Sequence, residues 1–523
     1  MGTHYKAFIV VILLTIGVFA LARPVFTRWM SPADFALRRN VWLAVTTAVF
    51  FMPSFWLYMA AAGIIIGFAA KRDTNPAALY LFLLLVIPPL QADLPTFGIV
   101  KALFPLTHFR LLTLAILIPV ALRLQRENVE ARRQNSASVS PALRTADVLL
   151  LLFLVVQLAL LVPYESITNS ARRALLLLLD VWLPYFVMSR ACRDRQMVVE
   201  AMAALVLAAV VLAPIAAIET LKAWLLYGGL GDGWGIPNTL YLRRGDVLRA
   251  AATAGHSIVL GYFFAIALGL WLYLQRHLVR GWAWLGFGGL AMGLLAAFAR
   301  GPWVGALAIV FAYLALGPRA LSRSVKGVGL MAVVAGIVIV SPFGSKIIDN
   351  LPFIGTVAAE TVSYRAQLLE TSILIVSQNP FFGSPYYLAQ MEDLRTGEGI
   401  IDLVNTYAAF ALSYGLVGLG LFLSFMGVVI VRCWRTVRRL SSEDPDSAMI
   451  GASLIACLLG SLVMLATVSN YLSIPYIYLA LAGMAVAYAR QSGPQSIAAV
   501  APQPADTRFR PQPRSTAQPQ FPR

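Results

Sequence analysis

Charge is scarce in this chain: only 12% of its 523 residues are Asp, Glu, Lys or Arg, while 59% are hydrophobic and the mean hydropathy is +0.76. A soluble domain carries about twice that charge. A water-surrounded fold is therefore excluded, and a chain that crosses about 30 Å of hydrocarbon many times is expected. Cysteine is scarcer still. Cys192 and Cys433 fall in short basic loops and Cys457 in an apolar run, which predicts no extracytoplasmic disulfide. His4, His108, His256 and His277 are scattered, and no Cys/His spacing suggests a metal site. The predicted outer segments contain no Asp-x-Asp-like cluster, so neither a metal nor another cofactor is expected.

What is present is a series of apolar runs joined by short basic loops. The formal charge is +17, but the Lys and Arg are concentrated in RLQRENVEARR, RACRDR, QRHLVR, GPRALSRSVK and VRCWRTVRR. That is the positive-inside pattern of a membrane protein, not the spread surface that nucleic acid would need. Putting these loops in the cytoplasm gives helices near 148–163, 174–189, 197–225, 257–274, 282–299, 302–317, 327–342, 404–431, 448–469 and 472–489. Earlier runs lie near 7–22, 41–70, 77–90 and 111–124, for about 12 to 14 helices in all. The first run lacks a cleavage site and is read as a retained helix. One loop breaks the pattern: RPVFTRWMSPADFALRRN would lie outside with four Arg. Pro53 inside the run 41–70 marks either a kink or two half-spans. We expect an all-α membrane domain over 1–490 and a disordered, Pro/Gln-rich cytoplasmic tail over 491–523.

Two long segments fall on the outer side, 228–257 and 341–403. Their aromatic and apolar content argues for order, and together they could roof a cavity. Arg243, Arg244 and Arg249 lie in the first, Arg365 in the second, and Arg300 in FARGPWVGA faces the same side. Each alone could snorkel or pair with Asp232, Asp246, Glu360 or Glu370. Jointly they suit an anion at the membrane surface. In FARGPWVGA, Gly301 can adopt the left-handed conformation that ends one helix and Pro302 suits the first turn of the next. The free amides of that second helix and the Arg300 fork would then meet phosphate oxygens. RAQLLETSILIVSQNP reads as a short helix stopping before Pro380, with Arg365 in its first turn and Leu368, Leu369, Ile373 and Val376 on an apolar face.

Four stretches in this order, LRAAATAGHSIVLGYFFAI, FARGPWVGA, SYRAQLLETSILIVSQNPFFG and DLVNTYAAFALSYGLVGLGLFL, resemble the O-antigen ligase and polymerase superfamily, over residues 200 to 430. The first 150 residues are more similar to its exopolysaccharide-associated branch. The resemblance implies a membrane fold of the glycosyltransferase C type. It also implies transfer of a glycan from undecaprenyl pyrophosphate to an acceptor glycan on the periplasmic face of the bacterial inner membrane. By the same resemblance Arg249, Arg300 and Arg365 match the family's arginines; Arg243, from its place in the same outer segment, is expected beside them as a further pyrophosphate ligand. His256, Asn405 and Glu398 are expected to line the acceptor side. Where the ligases have a His-Asn pair, this chain has Val404-Asn405.

Valine accepts no proton, so Asp402, two residues earlier, is the candidate catalytic base. It could equally cap the helix that follows. The reading is a metal-independent glycosyltransferase of polysaccharide polymerisation, with ligation to a lipid A-core acceptor as the alternative. Its partners would be the lipid-linked oligosaccharide, the acceptor glycan, the bilayer and other polysaccharide assembly proteins, with no nucleic acid. A polysaccharide or lipid transporter would place more charge along mid-membrane faces than Asp180 and Glu219 provide. A non-catalytic assembly partner stays open because the His is missing.

Overall fold

The computed structural model describes residues 2–95, 102–133, 141–236, 241–317, 359–395, 401 and 403–491. The span expected near 327–342 and the tail from 492 lie outside the described residues. The protein is an all-α polytopic membrane protein. Among the described residues, nine helices are long and apolar enough to cross a membrane. In chain order the helices are α1 (Gly2–Phe26), α2 (Pro32–Phe51), α3 (Phe55–Arg72), α4 (Pro76–Leu83), α5 (His108–Leu112), α6 (Ile118–Arg133), α7 (Pro141–Leu161), α8 (Ile167–Leu177) and α9 (Leu183–Ala191). Then come α10 (Arg195–Lys222), α11 (Ser257–Leu274), α12 (Arg280–Ala296), α13 (Arg300–Leu316), α14 (Ala359–Gln378), α15 (Thr406–Glu443), α16 (Pro445–Leu465) and α17 (Ile474–Gln491). π-helical turns at Thr113–Leu117 and Leu178–Trp182 join α5 to α6 and α8 to α9. Two small antiparallel pairs complete the chain: β1 (Gln91–Pro95) with β2 (Ala102–Thr107), and β3 (Arg243–Arg244) with β4 (Val247–Leu248).

Helices that are apolar all round belong in the middle of a bundle. The apolar windows of α10, α11 and α16 are 83%, 94% and 83% buried, against 28% for α1. Small residues let the central helices approach closely. A Cβ on Gly305 of α13 would lie 2.2 Å from Met464 Cγ on α16, and one on Gly460 would lie 2.1 Å from Ile309.

One end of the bundle gathers the basic loops. There Arg195 pairs with Asp444 at 2.8 Å and Asp446 at 2.6 Å, and Arg190 pairs with Asp147. The Arg-rich segment between α1 and α2, expected on the outer side, lies at this same basic end. Arg28 Nη1 donates to His277 O at 2.7 Å, and buried Arg38 meets Asp73 at 2.7 Å and Glu200 at 2.6 Å. The chain's N-terminus is accordingly at the opposite end, where His4 Nε2 is 3.0 Å from Phe50 O. The apparent exception to the charge rule disappears because α1 runs in the reverse of the expected direction.

The run 41–70 is neither kinked nor a pair of half-spans. Pro53 sits in a tight turn between two full helices, and the Ser54 side chain caps α3 by accepting from Leu57 N. The run 77–90 is only partly helical. After α4 the chain continues irregularly to β1, with residues from Ala77 to Ile87 buried. Irregular backbone at membrane depth is tolerated when protein encloses it. Here His108 Nε2 lies 2.9 Å from Leu83 O, and Thr253 donates to Leu85 O.

Candidate functional site

At the end opposite the basic loops, the segment between α10 and α11 folds back against the tips of α10 and α12. Its anchor is Glu219, fully buried in the last turns of α10. The carboxylate accepts from Leu226 N at 3.0 Å, Ala251 N at 3.1 Å and Ala252 N at 2.8 Å, so one side chain ties down both ends of the segment. Ala250 N donates to Ala296 O at 3.0 Å, adding the tip of α12. Between these anchors β3 and β4 form a hairpin whose turn needs Gly245 at φ +57°.

The hairpin orients the arginines. Strand residues alternate faces. Arg244 turns inward, half-buried, and donates to Phe298 O at 3.1 Å, while Arg243 points the other way and is exposed. Arg243, expected among the anion-binding arginines, therefore lies on the face opposite to Arg244. Arg249 Nε reaches toward Ala297 O at 3.5 Å. Both side chains thus sit at the C-terminal tip of α12, where the helix dipole favours cations. Arg300 opens α13, and Arg365 projects, exposed, from α14.

These four side chains act on one another. Burial, then Arg300 and Arg365, pull the Arg244 guanidinium down to about 10. Burial and the fields of Arg244 and Arg365 lower Arg249 to about 10 as well, partly opposed by Tyr471. Among the described residues, none of Asp232, Asp246 and Glu370 forms an ion pair with Arg244, Arg249 or Arg365. Both guanidinium groups remain charged at neutral pH, and a polyvalent anion would relieve their repulsion.

His256 borders the same cluster. Burial and the Arg249 charge push it down to about 4, so it is neutral at pH 7. Its Nδ1 accepts from Ile258 N at 3.1 Å, capping α11, and its ring stands edge-on to Tyr471 with centroids 5.7 Å apart. An accepting Nδ1 leaves the proton on Nε2, so the outward nitrogen is a neutral donor and not a base.

The Arg300 turn differs from expectation, and the second helix starts at Arg300, two residues earlier than expected. The left-handed residue is Phe298, at φ +43°, and Gly301 is helical. Gly301 serves close approach: a Cβ there would lie 2.2 Å from Thr467 Oγ1 in the segment between α16 and α17. The N-cap of α13 is Ala299, which has no side chain to bond the first-turn amides. Those amides open beside Arg300.

Helix α14 begins at Ala359, earlier than its sequence pattern indicates, so Arg365 lies beyond the first turn. Leu368 and Ile375 pack inward with Leu412, and Leu369 and Ile373 remain exposed. Arg365, Ser372, Val404, Asn405 and Thr467 line a pocket of about 180 Å³. It runs into an apolar groove of about 420 Å³ between α14 and α15, with Leu369, Ser372, Asn405 and Ala408 common to both. The groove is closed at its far end by a backbone interlock. α15 breaks at Gly415 (φ +65°, ψ −172°), and its freed amides are taken by the turn after α14. Leu416 N donates to Pro380 O at 2.8 Å, Val417 N to Phe381 O at 3.2 Å, and Ser384 N to Leu412 O at 2.8 Å. The segment NPFFG is therefore a staple inserted into a broken helix.

Asp402 and Glu398 lie outside the described residues. The cap of α15 is nevertheless assigned: Asn405 Oδ1 accepts from Tyr407 N at 3.0 Å and Ala408 N at 3.2 Å. Asn405 therefore lines the pocket and caps the helix at once. Sequence reasoning passed over Thr467, for which no local signal existed, and treated Glu219 only as an isolated mid-membrane carboxylate.

Residues 285–423 match the family model described as O-antigen ligase. No curated protein gives a significant match to the chain.

Proposed function

We propose that the chain is a membrane glycosyltransferase that extends a surface polysaccharide from a polyprenyl-pyrophosphate-linked saccharide, a reading supported by the match of residues 285–423 to the O-antigen ligase family model. The observation that carries this reading is the convergence of Arg244, Arg249, Arg300 and Arg365, from a hairpin loop and two separate helices, beside the uncapped start of α13. Four guanidinium groups and a helix N-terminus match the charge and oxygen geometry of a pyrophosphate. The apolar groove between α14 and α15 starts at the same pocket and suits the donor's isoprenoid chain. By the charge rule the basic end is cytoplasmic, so the reaction faces the periplasm of a bacterial inner membrane.

The reaction is a displacement at the anomeric carbon. An acceptor hydroxyl oxygen forms the new bond, and the bond to the pyrophosphate oxygen breaks with its electron pair passing to the leaving group. The arginines offset the charge that develops there, and His256 Nε2–H donates to the same oxygens. The hydroxyl proton goes to a base. Asp402 is the candidate, being adjacent in the chain to Leu403, which lines the pocket with Arg365.

The test is polymer formation in a deletion strain complemented with variants at matched membrane levels. Arg300→Ala should lower transfer by roughly 10²- to 10³-fold, the scale for removing one charge-stabilising donor, and lipid-linked saccharide should accumulate. Arg300→Lys should also be poor because the fork is lost. Near-normal polymer from Arg300→Ala would refute the anion-site reading. Full transfer by Asp402→Asn would remove Asp402 as the base and turn attention to Glu398. Product attached to lipid A-core, without growth in chain length, would replace polymerisation by ligation.

A further inference from the structure

A second cleft lies far from the arginine cluster, on the flank of the bundle. It has a volume of about 620 Å³ and runs between α3 and the segment formed by the Thr113–Leu117 π-turn and α6. Its width has a local cause. The π-turn and Pro119 interrupt regular packing on one wall, and Gly67 leaves the other wall without a side chain. A Cβ built on Gly67 would meet no atom within 4 Å. Phe68 and Leu114 line the cleft and are exposed, so its middle is apolar and open to the hydrocarbon.

The two ends of the cleft differ. Toward the basic end of the bundle it is bordered by Lys71, in the last turn of α3, and Arg123 of α6. Asp73 also borders it, but that carboxylate is occupied by Arg38 at 2.7 and 2.8 Å. Glu127 lies 3.5 Å from Arg123 in an exposed pair and also takes Arg193, so it does not cancel the positive rim.

We propose that this cleft binds an anionic glycerophospholipid, with an acyl chain along Gly67, Phe68 and Leu114 and the phosphate at Lys71 and Arg123. Basic pockets between membrane helices at the cytoplasmic surface are suited to anionic headgroups, and an acyl chain fills an apolar slot that no side chain occupies. The site is independent of the glycosyl-transfer reading.

The experiment is native mass spectrometry of the purified full chain, delipidated and then offered phosphatidylglycerol or phosphatidylcholine at equal concentration. Wild type should retain phosphatidylglycerol preferentially. The double variant Lys71→Gln/Arg123→Gln, at two exposed side chains, should lose that retention by roughly tenfold, the scale of the attraction of one or two basic side chains to an anionic lipid. Its phosphatidylcholine adducts should not change. Gly67→Leu should lower retention of both lipids with the charges intact, and gel filtration should show both variants folded. Equal retention by wild type and the double variant would overturn the proposal, as would unchanged binding in Gly67→Leu. A co-purifying species with the mass of a polyprenyl phosphate, displaced by neither phospholipid, would also overturn it.

Discussion

Replacing Glu219 tests whether the arginine loop is held by one buried carboxylate. The side chain is 0% exposed, and its partners Leu226, Ala251 and Ala252 are 1%, 6% and 5% exposed. Glu219→Ala removes the acceptor for three enclosed N–H groups. At about 1–3 kcal/mol for each unsatisfied donor, the loss is roughly 3–9 kcal/mol, with the lower part of that range applying if water enters the vacated space. Glu219→Gln keeps one oxygen, which can serve Ala251 and Ala252, but turns an NH₂ group toward Leu226 N. It should therefore cost about 1–3 kcal/mol. Arg249 and Arg244 follow the loop, so donor binding should fall with stability. The assay is thermal unfolding in detergent, with proteolysis of the 223–256 segment and polymer formation in cells. The expected order is wild type, then Gln, then Ala in all three. Wild-type melting and polymer in both variants would refute the anchoring role. Equal damage from Gln and Ala would refute the counting of individual hydrogen bonds.

Gly415→Ala should disrupt the staple, since its Cβ would lie 2.1 Å from Phe381 O and the backbone there is in a region reserved for glycine. Faster proteolysis at the 380–384 turn should accompany loss of transfer, while Gly427→Ala in the same helix, where a Cβ meets nothing within 4 Å, should match wild type. Arg38→Met should lower stability by about 3–5 kcal/mol because it leaves Asp73 and Glu200 buried without their cation. Adding Asp73→Asn and Glu200→Gln should restore much of the melting temperature; no recovery would mean that packing, not charge, holds that corner.

Much of the molecule was legible in the chain because hydrocarbon imposes a coarse rule. Every crossing must be a long apolar helix, and the charge that remains must collect at the ends. That is why Ser257–Leu274 could be bounded to the residue and Arg300 set in the short gap between two helices, beside the start of the second. The rule pointed the right way for α1, whose following segment carries four Arg, but alternation from the later spans put that segment outside; the contacts of Arg28 and His4 with distant helices place it at the basic end. The rule is silent on which of two adjacent arginines turns inward. Strand alternation within the β3–β4 hairpin chose Arg244 over Arg243, and that hairpin has too few residues to leave a pattern in the sequence. The Val404-Asn405 pair named a place without its geometry. Asn is a preferred helix cap and so is the nearby Asp402; the hydrogen bonds from Tyr407 N and Ala408 N to Asn405 Oδ1 are what assign the cap of α15 to Asn405. Sequence indicated most of the helices among the described residues and named the arginines of the outer segments. Tertiary packing decided which cations meet, because charges scattered over more than a hundred residues act on one another only when separate helices bring them to the same end.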